Sequence, residues 1–200
     1  MAQVELFYDY SSPWTYLACS RIEDLCRRCA AELVWRPILV GGIFNTVNPS
    51  VYEARANPVP VKARYMLKDL QDWARHCNVR IVFPPSVFPV NSVKALRGAL
   101  VALEQGRISA YSRRVFEAYF GADRDISEDA VLRAIVGEVG LDAAEFFEKI
   151  GQASYKERIR ANTDECMRRG GFGSPTMFVG DAMFFGNDRL VLVEDALRAR

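Results

Sequence analysis

A serine directly before a proline, where an extended segment gives way to a helical one, is the first place in this chain where side-chain chemistry and backbone electrostatics coincide. Ser12-Pro13 closes the segment Phe7-Tyr8-Asp9-Tyr10-Ser11. Ser12 suits a helix N-cap, and Pro13 suits the first helical position, where its missing N–H would lack a partner anyway. A helix N-terminus favours nearby negative charge, so a hydroxyl placed there can hold an anion such as a thiolate. Alone, Ser12 reads more readily as a plain cap. Two further features lie far downstream. Gly173-Ser174-Pro175-Thr176 stands just before a strand-like run, and Phe185-Gly186-Asn187-Asp188-Arg189 joins a strand end to a helix start, offering free N–H groups to an anionic or amino-acid-like ligand.

The hydrophobic pattern predicts the elements that must position these residues. Residues 4–8 alternate and are rich in strand formers, Trp14, Leu17, Ile22 and Leu25 recur at helical spacing, and residues 32–39 resume strand character, completing a βαβ unit. The stretch 41–50 reads as an uncharged loop. Helical periodicity follows at 60–77, 91–105, 108–120, 127–139, 142–150 and 155–169. Residues 176–179 and 182–185 then flank Gly180-Asp181, a two-residue hairpin signal, and Asn187 or Asp188 can cap a last helix through Leu190, Val193 and Leu197. This order predicts an α/β protein: a thioredoxin-like domain of residues 1–50 plus 171–200, with an all-helical domain of residues 51–170 inserted in its middle. In such folds a cis-proline faces the first helix, the position Pro175 would take, and the residue before it offers its backbone to a bound peptide.

Composition narrows the partners. Half of the 200 residues are hydrophobic, enough for a sizeable core. With 26 basic against 25 acidic residues and no long like-charge block, neither a nucleic-acid surface nor an anionic-membrane surface is expected. Met1-Ala2-Gln3-Val4-Glu5-Leu6 lacks a basic-then-apolar leader pattern, and no apolar run approaches the length of a bilayer span, so a cytoplasmic location is expected. Cys19, Cys26, Cys29, Cys77 and Cys166 are odd in number and none stands at the strand-to-helix junction, which predicts reduced, mostly buried thiols. Cys26-Arg27-Arg28-Cys29 has the spacing of a redox pair, with arginines that could lower a thiol pKa, yet it lies far along the helix from its positive end. His76, the only histidine, has no motif linking it to Ser12 in a hydrolase triad, and no cluster at metal-ligand spacing predicts a metal.

Four blocks carry a resemblance that covers essentially the whole chain: Tyr8-Asp9-Tyr10-Ser11-Ser12-Pro13, Tyr65-Met66-Leu67-Lys68-Asp69-Leu70 with Trp73, Gly173-Ser174-Pro175-Thr176-Met177-Phe178, and Gly186-Asn187-Asp188-Arg189. They resemble the kappa-class glutathione transferases and, more closely, the bacterial 2-hydroxychromene-2-carboxylate isomerases. The resemblance implies a DsbA-like architecture, glutathione as a cofactor, and a homodimer. It also implies that Ser12 is the catalytic serine, donating a hydrogen bond to the glutathione sulfur. Ser174 would pair with the cysteinyl backbone beside Pro175, and Phe185, Gly186, Asn187 and Asp188 would hold the γ-glutamyl end. The physics of a thiol agrees with such a role. Lowering a thiol pKa by about 2 units takes roughly 2.7 kcal/mol. A helix N-terminus supplies up to about 2 kcal/mol and a hydrogen bond to a charged group about 1.5–3, so the two together suffice.

By the same resemblance, the glutathione thiolate adds reversibly to an unsaturated carbon of an aromatic hemiketal acid, the ring opens, a single bond rotates, and glutathione leaves unchanged. Phe44 and the segment Val82-Phe83-Pro84-Pro85-Ser86-Val87-Phe88 could wall the pocket for such an aromatic substrate. The loop Gly41–Ser50 carries no charge where family members have basic residues. The expected substrate contacts are therefore Asn45, Asn48, Asn57 and Lys62, with Arg55 and Arg64 as further cations and Lys62 favoured by its place before the Tyr65 block. Three readings stay open: a glutathione-dependent isomerase, a kappa-like glutathione transferase or peroxidase, and a non-catalytic thioredoxin-like binding module. Thr15 stands where the second cysteine of a dithiol would be, which disfavours a disulfide oxidoreductase.

Overall fold

The first strand of the computed structural model, β1 (Gln3–Tyr8), divides its side chains between two layers of core, as a pleated strand covered on both faces must. The structure describes residues 2–199. Val4, Leu6 and Tyr8 enter a large cluster that continues into Leu96, Phe116 and Phe146. Phe7, on the other face, packs with Ile38, Ile43, Cys166 and Phe178. Strand β2 (Glu32–Pro37) lies parallel to β1, while β3 (Thr176–Val179) runs antiparallel to β1 and β4 (Ala182–Phe185) antiparallel to β3. The sheet order is β2-β1-β3-β4.

Register decides where the site can be. Phe7 stands opposite Thr176, and Thr176 opposite Phe185. The C-terminal end of β1, the N-terminal end of β3 and the C-terminal end of β4 therefore meet at one edge of the sheet. The chain segments leaving those ends carry Ser12, Ser174-Pro175 and Gly186–Asp188.

Helix α1 (Pro13–Arg28) starts where the sequence places it, with Ser12 as N-cap and proline in the first turn. Two elements depart from expectation. Strand β2 ends at Pro37, and the segment read as an uncharged loop forms α2 (Val40–Thr46) and is followed by α3 (Ser50–Ala56). Gly41, Gly42, Asn48 and Pro49 make this stretch look like a loop, but burial of Val40 and Ile43 against the sheet offsets the low helix propensity. The remaining helices follow the predicted periodicities: α4 (Pro60–His76), α5 (Val93–Glu104), α6 (Ile108–Phe116), α7 (Asp129–Glu138), α8 (Ala143–Gly151) and α9 (Ala153–Arg168). Helix α6 widens into a π-helical turn, Glu117–Gly121. At the C-terminus a 3-10 turn (Asn187–Arg189) leads into α10 (Leu190–Arg198). Among the described residues no helix is long and apolar enough to cross a membrane.

Helix α5 packs closely against its neighbours at Gly98. A Cβ on Gly98 would lie 2.4 Å from both the Phe146 ring and the Tyr111 hydroxyl. Both side chains are fully buried, and Tyr111 donates to the Ala95 carbonyl at 3.1 Å, so neither can yield cheaply. Gly98→Val is expected to destabilise the fold by about 2 kcal/mol or more despite the gain in helix propensity. Equilibrium urea unfolding checks this; an unchanged midpoint would contradict the packing described.

Candidate active site

Where β1 ends, the chain turns so that the strand exit and the first turn of α1 are both tied to Ser174. The Asp9 N–H donates to the Ser174 hydroxyl at 2.9 Å. Thr15 and Ser174 share a hydroxyl–hydroxyl bond of 2.7 Å. The Ser12 hydroxyl donates to the Ser174 carbonyl at 2.9 Å and accepts from the Thr15 N–H at 3.3 Å, which is its capping bond. The Ser174–Pro175 bond is cis, and the Gly186 N–H donates to the Pro175 carbonyl at 3.1 Å, bringing the β4 end to the same place. The backbone N–H groups of Thr15 and Tyr16 bond back to Ser12, and Pro13 has none. The Trp14 N–H is thus left without an acceptor among the described residues, at the positive end of α1 and next to the Ser12 hydroxyl.

Two cavities open beside this junction. The first, about 430 Å³, is lined by Ser12, Trp14, Phe44, Asn48, Arg55 and Phe88, among others. The second, about 370 Å³, is lined by Pro175, Gly186, Asn187, Asp188, Asp69 and Arg189, among others. Trp14, Ser174 and Phe185 line both and form their common wall. Gly173 is required here because a Cβ would lie 2.8 Å from the Phe185 ring. Gly186 is required because its φ of +106° belongs to the region L side chains avoid.

Each residue singled out from sequence can now be placed. Ser12, Ser174 and Phe185 face the first cavity, and Ser174, Pro175, Phe185, Gly186, Asn187 and Asp188 face the second. Asn187 does not cap α10. Its side-chain oxygen and its carbonyl both accept from Arg21, at 2.9 and 2.8 Å, and α10 begins with no side-chain cap from Asn187 or Asp188. Asn48 reaches the first cavity while its amide donates to the Phe172 carbonyl at 3.0 Å. Asn45, Asn57 and Lys62 line neither cavity. Asn45 accepts from the Tyr52 hydroxyl at 2.8 Å, Asn57 closes the C-terminus of α3, and Lys62 is exposed in the first turn of α4. The formal charge that does face the first cavity is Arg55, and it comes from a helix the hydrophobic pattern did not announce. Asp69 and Trp73 reach the second cavity together because residues four apart share a helix face.

Asp9 was missed, and only its place three residues before Ser12 could have suggested it. Fully buried, its carboxylate accepts from the N–H groups of Ser11 and Val40, each at 2.9 Å, and from the Ser92 hydroxyl at 2.7 Å. It therefore ties the Ser12 turn to α2 and α5. Burial pushes its pKa up, and these donors offset that only in part.

The remaining cysteine and histidine alternatives are far from this chemistry. Cys26 lies about 20 Å along α1 from the Ser12 cap. Burial, reinforced by Cys29 and Glu23, pushes the Cys26 thiol up to about 11. The flanking arginines do not counter this, since Arg27 pairs with Asp24 and Arg28 with Glu194. His76 packs edge-on against Trp73 and makes no bond to Ser12.

A family profile described as a DsbA-like thioredoxin domain matches residues 3–198. An isomerase from Sphingobium xenophagum, named 2-hydroxychromene-2-carboxylate isomerase, is 31% identical over 97% of both chains. The chain belongs to this isomerase family within the DsbA-like thioredoxin fold. Human glutathione S-transferase kappa 1 is 29% identical, over 97% of this chain and 90% of its own. A solved 2-hydroxychromene-2-carboxylate isomerase superposes with a TM-score of 0.83 at 27% identity, over 98% of this chain and 95% of that one. At the junction of this chain stand the hydroxyls of Ser12 and Thr15, both bonded to Ser174.

Because the folded-state pKa of Asp9 lies above its unfolded value, its contribution to stability is largest below the ordinary aspartate range and is lost as pH rises through the folded pKa. In Asp9→Asn the amide N–H₂ would meet a donor at either oxygen position. The variant is expected to be about 1–3 kcal/mol less stable at neutral pH. Its deficit against wild type should widen as pH falls through that pKa, measured by urea unfolding at several pH values.

Proposed function

We propose that the protein is a glutathione-dependent isomerase that interconverts cis and trans forms of an aromatic catabolic intermediate, in the manner of a 2-hydroxychromene-2-carboxylate isomerase. The observation that carries this reading is the position of the Ser12 hydroxyl, at the tip of α1, lining the first cavity and bonded to Ser174 of the wall that the two cavities share. The second cavity fits glutathione by chemistry. Asp69 and Asp188 suit an amine, and Arg189 with the N–H groups of the 3-10 turn suits a carboxylate. The two close-approach glycines leave room for a peptide backbone beside Ser174 and Pro175.

Bound there, glutathione supplies a thiolate that adds reversibly to an unsaturated carbon and is released unchanged. Ser174 offers its backbone to the cysteinyl unit, which gives its carbonyl a new donor. The Ser12 O–H is then free to turn from Ser174 to the sulfur. The Trp14 N–H and the dipole of α1 add to the same stabilisation. Trp14, Phe44 and Phe88 present apolar surface to a flat substrate and exclude water from it. Ser12 neither accepts nor stores electrons, so it serves addition and elimination better than disulfide exchange.

The relatives favour isomerisation over transfer, since sequences named as isomerases are 31–33% identical and those named as kappa transferases 24–29%. A cytoplasmic setting fits the five free cysteines. A homodimer would cover Val61, Tyr65 and Leu67, which stand exposed on α4.

Turnover of 2-hydroxychromene-2-carboxylate should proceed with glutathione at a small fraction of the substrate concentration and leave it unconsumed. Consumption of one glutathione per product would make the protein a transferase instead. Ser12→Ala is expected to lower kcat roughly 10- to 100-fold while glutathione still binds. The ultraviolet absorbance of enzyme-bound thiolate should fall in parallel at neutral pH.

A further inference from the structure

We propose that Arg55 is the specificity-determining residue of the first cavity, selecting carboxylated over uncharged aromatic substrates. This rests on the reading of that cavity as the substrate site and adds to it a recognition element from α3, in place of the basic residues expected in the 41–50 stretch.

Four observations support it. Arg55 is the only formal charge among the described residues lining the cavity, whose other walls are apolar, aromatic or neutral. Other arginines are engaged: Arg28 pairs with Glu194, Arg36 with Glu5, and Arg21 donates to Asn187. Arg55 has no ion pair and no side-chain hydrogen bond among the described residues. Its guanidinium instead sits over two rings, 5.5 Å from the Phe44 centroid and 5.8 Å from that of Phe88. These are cation–π contacts, and the guanidinium's N–H fork, which makes no hydrogen bond among the described residues, is the part that matches a carboxylate. Finally, Val51 and Arg55 are four residues apart on α3, share one helix face, and both line the cavity.

The placement has chemical sense. A thiolate approaching an acceptor that is itself anionic meets like-charge repulsion, and a cation on the wall of the same apolar cavity offsets it. Asn48 is less suited to that role because it is neutral and its amide is engaged by Phe172. The rings that hold Arg55 are the same rings that would face a flat substrate, so charge and shape would be read together.

The experiment uses the full-length protein and two arms. In the first, calorimetric titration compares naphthoate with its uncharged amide, naphthamide. Wild type should bind naphthoate roughly tenfold or more tighter. Arg55→Gln should lose that preference and Arg55→Lys should keep part of it. Glutathione affinity should stay the same in all three proteins, which shows that the variants fold. Equal affinity of wild type for the two probes, or a naphthoate preference that persists in Arg55→Gln, overturns the assignment. In the second arm, kcat/KM is measured on 2-hydroxychromene-2-carboxylate and on the chromenol lacking its carboxylate, with Arg55→Gln expected to lose activity on the acid alone. An Arg55-dependent naphthoate preference in a protein that shows no glutathione-dependent turnover supports Arg55 as the anion receptor while overturning the isomerase reading.

Discussion

Ser174 holds the junction together by being bonded on three sides at once. Its hydroxyl takes the Asp9 N–H and pairs with Thr15, and its carbonyl takes the Ser12 hydroxyl. These bonds join the end of β1, the first turn of α1 and the approach to β3, elements about 160 residues apart in the chain. Each such bond contributes only about 1 kcal/mol net, but leaving any of the buried groups of Asp9, Thr15 and Ser174 unmatched costs more than the bond contributes. The geometry is therefore specified mainly by the penalty for breaking it. Asp9 repeats the same logic one layer deeper, where a carboxylate with three donors and, among the described residues, no ion pair must keep all of them.

The parts of the architecture that were legible in the sequence are those governed by local chemistry. The alternation of residues 4–8, the Ser12-Pro13 cap and the Gly180-Asp181 hairpin each state a conformation within a few residues, and each is found where the pattern puts it. What was not legible depends on partners remote in sequence. Gly41-Gly42 and Pro49 look like loop until Ile43 is buried against Phe7 and Phe178. Asn187 looks like a cap for α10 until Arg21 of α1 reaches it. Within the site, the residues carried by family motifs converge on the two cavities. Asn45, Asn57 and Lys62 were named for polarity near the motifs, and polarity does not say which way a short helix turns its faces. The rotation of α3, which brings Val51 and Arg55 inward, is a tertiary outcome.

The sulfur-bearing side chains add a further constraint. Burial pushes the thiols of Cys26 and Cys166 each up to about 11, and that of Cys19 upward as well. Thiols held in that state are poor nucleophiles at neutral pH. Ser12 and Thr15 present hydroxyls, and no cysteine lines either cavity among the described residues. Any sulfur chemistry proposed for the site must be brought by a ligand, and the protein's part is to hold that sulfur ionised and to orient what it attacks.

The two-cavity layout makes that division physical. Trp14, Ser174 and Phe185 form a shared wall, so a ligand in either cavity touches side chains that also bound the other. Phe185 in turn packs on Phe172 with centroids 4.4 Å apart, and Gly173 permits that contact. A peptide settling along Ser174 would press on the same aromatic pair that closes the first cavity. Filling one site would thereby order the wall of the other, and the entropy lost in fixing those rings would be spent once rather than twice. On that argument the tripeptide proposed as cofactor would bring an advantage beyond its sulfur: while it stayed bound, the aromatic cavity would already be formed when each substrate arrived.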